Sequence, residues 1–170
     1  MKKYNLAFLL AIMALITSPQ LLAQKKMKSP PAQAKGQIGA ATVVIDYHQP
    51  SANGRTIMGD LVPYDQVWRT GANNATTFEV DKDVKIEGQA LPKGKYALFT
   101  IPGKDEWTII FNKNPNQWGA YNYDNGEDAL RVKVKPVKTD KFVETFIINP
   151  EQDGVTMSWE NTKVKFKVTD

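Results

Sequence analysis

A β-sandwich is the fold this sequence predicts, and three observations predict it. Apolar and polar residues alternate with a period of two in one run after another. Turn residues recur between those runs at intervals of 8 to 15 positions. Beyond the N-terminal apolar segment, no stretch of twelve residues repeats with the period of a helix. Two antiparallel sheets packed face to face, a sandwich or jelly roll of about eight or nine strands, account for this pattern, with a β-barrel as the alternative.

The strands follow in order. Thr42 to Tyr47, Thr76 to Val80 and Val84 to Glu87 come first. Lys95 to Ile101 and Glu106 to Asn112 are largely apolar on both faces, as central strands are. Leu130, Val132 and Val134 then alternate with Arg131, Lys133 and Lys135. Phe142 to Ile148 is next, and after it Val155, Met157 and Trp159 alternate with Thr156, Ser158 and Glu160. The last run sets Val164, Phe166 and Val168 against Lys163, Lys165 and Lys167, whose charges discourage edge-to-edge pairing. Leu91-Pro92-Lys93-Gly94 has the proline and glycine of a type I turn and joins Val84–Glu87 to Lys95–Ile101. Pro102-Gly103-Lys104-Asp105 makes the next connection, and Asn161-Thr162 separates the final two strands. The expected core is Leu98, Phe99, Trp107, Ile109, Phe111, Val132, Val134, Met157, Trp159 and Phe166.

Three regions precede and make up the chain's organisation. Residues 1–23 read as a signal peptide: Lys2 and Lys3, an uncharged apolar run from Leu6 to Ile16, and Leu21-Leu22-Ala23 ending in a small residue. The run falls short of the about 20 apolar residues that a bilayer span needs. Cleavage after Ala23 leaves no cysteine to lipidate, so the expected location is periplasmic or extracellular, without a lipid anchor or a transmembrane segment. Residues 24–37, with Lys25, Lys26, Lys28, Lys35, Pro30 and Pro31 and no acid, read as a disordered tether. Residues 38–170 read as a single domain, and there 16 basic residues face 18 acidic ones. The basic balance of the chain therefore belongs to its N-terminus and predicts no nucleic-acid partner.

The absence of cysteine excludes disulfides, thiolate metal sites and cysteine nucleophiles. A single histidine, His48, excludes a site with two imidazoles, and neither a G-x-S-x-G turn nor an H-E-x-x-H pair occurs. No cofactor or metal is expected. Asp124-Asn125-Gly126-Glu127-Asp128 offers oxygens without the spacing of a calcium loop.

Two long segments break the strand pattern, Gln49 to Asn74 and Asn112 to Gly126, and long connections in a compact domain are often functional. The first holds Arg55 and Arg69 in a chain with only three arginines. A guanidinium presents a planar fork of donors, suited either to an anion or to an ion pair with Asp46, Asp60 or Asp65. The second brings the amides of Asn112, Asn114, Asn116, Gln117, Asn122 and Asn125 beside Trp118, Tyr121 and Tyr123. Rings take the C–H face of a sugar and amides pair with its hydroxyls, although asparagine and glycine also serve as turn formers.

The strings Gly54-Arg55, Leu61-Val62-Pro63-Tyr64, Trp68-Arg69-Thr70-Gly71-Ala72-Asn73, Leu91-Pro92-Lys93-Gly94-Lys95-Tyr96 and Gln117-Trp118-Gly119-Ala120-Tyr121 resemble the signature of the bacterial domain of unknown function 2911 family. The resemblance implies an exported bacterial protein with a β-rich domain, and it carries no catalytic residue over.

The leading functional expectation is a non-catalytic module that binds a small polar ligand such as a carbohydrate or envelope glycan. Its site would comprise Arg55, Arg69, Asn73, Asn74, Trp118, Tyr121 and Tyr123, provided the two segments share an end of the sandwich. One alternative is an envelope-polymer hydrolase using His48 and an aspartate as acid or base. The other is a purely structural envelope domain.

Overall fold

A computed structural model of the protein describes residues 28–170. The expected signal peptide and residues 24–27 of the expected tether lie outside them. The fold is all-β, two antiparallel sheets facing each other without closing into a barrel. In chain order the strands are β1 (Pro31–Ile38), β2 (Ala41–His48), β3 (Thr76–Val80), β4 (Val84–Ile86) and β5 (Gln89–Leu91), then β6 (Gly94–Ile101), β7 (Trp107–Asn112), β8 (Asp128–Val134), β9 (Val137–Glu151) and β10 (Gly154–Thr169). One sheet has the order β1-β2-β3-β6-β7-β8 and the other β5-β4-β10-β9.

The period of two does what it predicts. In β2, Val43, Ile45 and Tyr47 are buried between the sheets while Val44, Asp46 and His48 face outward. All ten expected core residues are buried, nine of them between the sheets. Phe99 is buried on the opposite face of β6, in a small second cluster with Ala75, Ala97 and Ile110.

Residues 31–37 correct the expected tether. They are most of β1, paired antiparallel with β2 from Pro31 opposite His48 to Ile38 opposite Ala41. The alternation is present but written in small residues: Ala32 and Ala34 pack on the core, and the α-carbon of Gly36 lies against Pro150 of β9. Small inward residues bury little area each, so the charge of Lys35 and the prolines dominate a reading by composition. Pro31 stands at the first position of an edge strand, where a missing N–H costs no ladder bond.

β5 and the ends of β9 also exceed the sequence reading. Val84–Ile86 returns on Gln89–Leu91 through Glu87 and Gly88, both in the left-handed region. The Leu91-Pro92-Lys93-Gly94 turn therefore carries the chain from one sheet to the other. Gly154–Thr169 is one uninterrupted extended run instead of two strands. It bends at Glu160 (φ +54°), beside the expected turn, so that its halves lie alongside each other. The Val168 N–H donates to the Asp153 carbonyl, and the α-carbon of Gly154 abuts the backbone of Phe166 and Lys167.

The first long segment closes one end of the sandwich. Ala52, Ile57, Val62 and Trp68 enter the core, at spacings that follow neither a strand nor a helix period. Trp68 stacks on Trp159 at 6.0 Å and meets Phe146 and Trp107 edge-on. Its backbone exchanges two hydrogen bonds with Thr100 (2.7 and 2.9 Å), beyond the last residue that β6 pairs with β3. On the other sheet, Ala52 N–H donates to Glu144 O and Phe146 N–H to Pro50 O. The segment is thus bonded to both sheets.

Candidate functional site

The two long segments meet. Ala75 N–H donates to Gln117 O (2.9 Å) and Gly119 N–H to Asn73 O (3.0 Å), bridging Asn74 to Trp118. The second segment then folds back over the outer face of the six-stranded sheet, where Ala120 and Tyr123 cover the cluster around Phe99.

Much of its chemistry is spent on holding that shape. Asn112 is fully buried: its Nδ2 donates to Asp124 O and Asp128 Oδ1, and its Oδ1 accepts from Asn114 N–H and Gln117 Nε2. Gln117 Nε2 donates again to Asn114 O at 2.7 Å. Asp124 caps a single turn of 3-10 helix, Asn125–Glu127, by accepting from Gly126 N–H. Tyr123 lies edge-on to Phe99 at 5.0 Å, its hydroxyl donating to Asp128 and contacted by Arg131. Burial, then the Asp128 carboxylate, push that phenol up to about 12.

Toward β1 the outer face stays open. A groove of about 690 Å³ runs over β1, β2, β3 and β6 and is walled by residues 115–118. Asp46 and His48 project into it from β2, Gln33 from β1 and Lys95 from β6. Asp46 accepts from Gln33 Nε2 (2.8 Å) and pairs with Lys95 (3.3 Å). The Gln33 amide, and after it the Lys95 ammonium, hold its carboxyl below the usual range against the opposing pull of burial. Asp46 is thereby a permanent acceptor. In the wall, Trp118 is 61% exposed. Beside it Gln117 is only 7% exposed, and its Oε1 has no hydrogen-bond partner among the described residues.

A second cavity of about 740 Å³ opens where the first segment closes the sandwich. Arg55, Arg69 and Lys28 line it together with Leu61, Val62, Trp68 and Trp159, and among the described residues no carboxylate does. Neither arginine is ion-paired among the described residues, so the expected pairing with Asp46, Asp60 or Asp65 is not made.

The expected site is therefore divided. Trp118, Asn74 and His48 line the groove, while Arg55 and Arg69 line the second cavity. Asn73 stands between them, its side chain donating to Ser29 O and its carbonyl accepting from Gly119. Tyr121 is 80% exposed beside Gly119 and lines neither cavity, and Tyr123 is a structural residue of the fold-back. Gln33, Asp46 and Lys95, which the sequence reading did not place in a binding site, are brought in by strand pairing. The signal for Asp46 and His48 was their two-residue spacing on an outward face; Gln33 had none, since its strand was not recognised. Among the described residues no three histidine or carboxylate side chains group as metal ligands, and no helix is long and apolar enough to cross a membrane.

Residues 29–168 match the family described as protein of unknown function (DUF2911). The chain belongs to the DUF2911 family. No curated protein and no solved structure matches it. The DUF2911 match starts two residues before β1 and ends inside β10, so it takes in both sheets, the groove and nearly all of the second cavity. Its string Trp68 to Asn73 divides its labour by residue. Trp68 is core, and Thr70, buried in the left-handed region at φ +54°, is fixed by Thr76 Oγ1 donating to its carbonyl (2.6 Å) and by its own hydroxyl meeting Thr100. Arg69 between them is the charged member of the string and lines the second cavity, with Trp68, Gly71 and Ala72 beside it.

Proposed function

We propose that this DUF2911 protein is an exported, non-catalytic module that binds a small hydroxyl-rich ligand, of the carbohydrate class, in the groove beside Trp118. The observation that carries the reading is the unpartnered Oε1 of Gln117. Its own Nε2 is committed twice, so this oxygen, buried in the groove wall that Gln117 helps to line, is an acceptor without a donor, which a ligand hydroxyl entering beside Trp118 would supply. Asp46, held ionised, is a second acceptor, and Lys95 and the amides of Gln33 and Asn116 add donors. The exposed indole of Trp118 offers a flat apolar surface for the C–H face of a ring. Polar floor, one aromatic wall and a volume inside the ~300–1,000 Å³ of small-ligand sites form a consistent set.

The test is calorimetry of hits from a glycan array against the purified protein. Binding should fall at least ~10-fold in Trp118→Ala and in Gln117→Met, which removes the acceptor oxygen, each loss equivalent to about 1.4 kcal/mol or more, with urea midpoints showing that each variant remains folded. An array without hits, or unchanged affinity in both variants, removes the groove as a site. The hydrolase reading is favoured by one observation, that His48 and Asp46 share the groove. Against it, Asp46 is engaged by Gln33 and Lys95 and is too acidic to donate a proton near neutrality. The bound glycan should therefore be recovered uncleaved. Export rests on the N-terminal pattern, and the intact mass of protein recovered outside the cytoplasm should correspond to a chain starting at Gln24.

A further inference from the structure

The second cavity shares no lining residue with the groove, and its chemistry differs. Arg55 donates through Nε to Ala52 O (2.9 Å) and through Nη2 to Ser51 O (2.7 Å). Of the five N–H groups in a guanidinium these bonds use two, leaving three for a ligand. Arg69 is partly buried, and its Nε is buried outright without a partner among the described residues. A buried, charged donor left unpaired costs free energy that an incoming anion recovers.

The surroundings keep that site open to an anion. The nearby carboxylates of Glu144 and Glu160 are turned to backbone N–H groups, Asn53 for the first, Ile57 and Met58 for the second. The loop that presents Arg69 is fixed on both sides, by the Trp68–Thr100 bridge before it and the Thr70–Thr76 bond after it. Lys28 adds a third positive charge at the rim.

We propose that this cavity binds an organic carboxylate. The acid group lies between the forks of Arg55 and Arg69, and the apolar body rests on the exposed side chain of Leu61, over the edges of Val62, Trp68 and Trp159 that reach the cavity. Planar guanidinium forks match a carboxylate in two parallel hydrogen bonds. The aliphatic and indole lining selects an organic acid over an inorganic anion, which would leave that surface in water.

The test titrates the isotope-labelled full chain with hexanoate, with its neutral counterpart hexanamide and with inorganic phosphate. The signals followed by NMR are the arginine Nε–H groups and the indole N–H groups of Trp68 and Trp159. Hexanoate should give saturable shifts at both arginines and both indoles. Hexanamide should bind at least ~10-fold more weakly, as should hexanoate to Arg69→Gln and Arg55→Gln, from loss of a charge-assisted pair. Urea midpoints accompany each variant, and should Arg69→Gln unfold, Arg55→Gln decides. Trp118→Ala should leave hexanoate binding unchanged, which separates this site from the groove. Equal binding of hexanamide, phosphate binding as tight as that of hexanoate, or the absence of saturable shifts would overturn the assignment.

Discussion

Trp68 and Trp118 lie in the two segments that break the strand pattern, and the fold gives them opposite roles. Trp68 is 9% exposed and packed on Trp159, Trp107 and Phe146, whereas Trp118 stands in solvent at the groove wall. Trp68→Ala should cost about 3–5 kcal/mol in urea unfolding, while Trp118→Ala should stay within ~0.5 kcal/mol. Equal losses would mean that the groove wall is part of the core. Tyr123 gives a second residue-level expectation. Its phenol, raised to about 12 in the folded protein from an ordinary value of 10, favours the folded state while protonated. That contribution is complete below pH 10 and is lost as pH rises through 12. Burial, then Asp83, raises Tyr96 as well, so ultraviolet titration of the folded chain should find two late tyrosines, and Tyr123→Phe should remove the step near 12. Before folding, Tyr123 and Tyr121 were equivalent rings in one amide-rich segment. Their difference comes from Phe99, Asp128 and Arg131, partners that no local spacing reveals.

Among the elements, those with large apolar residues at a clean period of two were legible. β2, β3, β6, β7 and β8 run close to the expected bounds, because each inward Val, Ile or Phe contributes enough burial to fix its register. β1 is hidden in sequence, since Ala32, Ala34 and Gly36 carry too little apolar area to outweigh its lysine and its proline in a composition-based reading. β10 looks like two strands in sequence because its bend at Glu160 adjoins Asn161-Thr162, a pair with turn character. That bend depends on Gly154 as much as on Glu160. A β-carbon at position 154 would come within 2.2 Å of the Phe166 carbonyl oxygen, a backbone atom with little freedom to move. Gly154→Ala should therefore cost at least the ~1–3 kcal/mol typical of overpacking, read as a lowered urea midpoint. A neutral substitution would show that the halves of β10 can separate freely.

At the scale of the molecule, residues 49–74 act as a strap: bonded to β9 at Pro50 and Ala52, to β6 at Trp68, and to the fold-back at Asn73. The second cavity is lined mostly by this strap, including Arg55 and Arg69, whereas the groove meets the strap at Asn74 and takes most of its other residues from β1, β2, β3, β6 and the fold-back. With the strap joining the sheets, unfolding should be a single transition, with far-ultraviolet circular dichroism and core methyl signals giving coincident urea midpoints. An early loss of methyl signals from Ile57 and Val62 would mean that the strap opens before the sheets. The site was less legible than the fold because strand order and pairing, which no single segment encodes, bring Gln33, Asp46 and Lys95 under Trp118. The unequal burial of the four tryptophans also has an optical consequence. Trp68, Trp107 and Trp159 are buried, so their emission should be blue-shifted, and iodide could approach only Trp68 and Trp159, through the second cavity. Trp118, 61% exposed, should be quenched far more readily than the other three, and a guest seated in the groove would shield it without touching them.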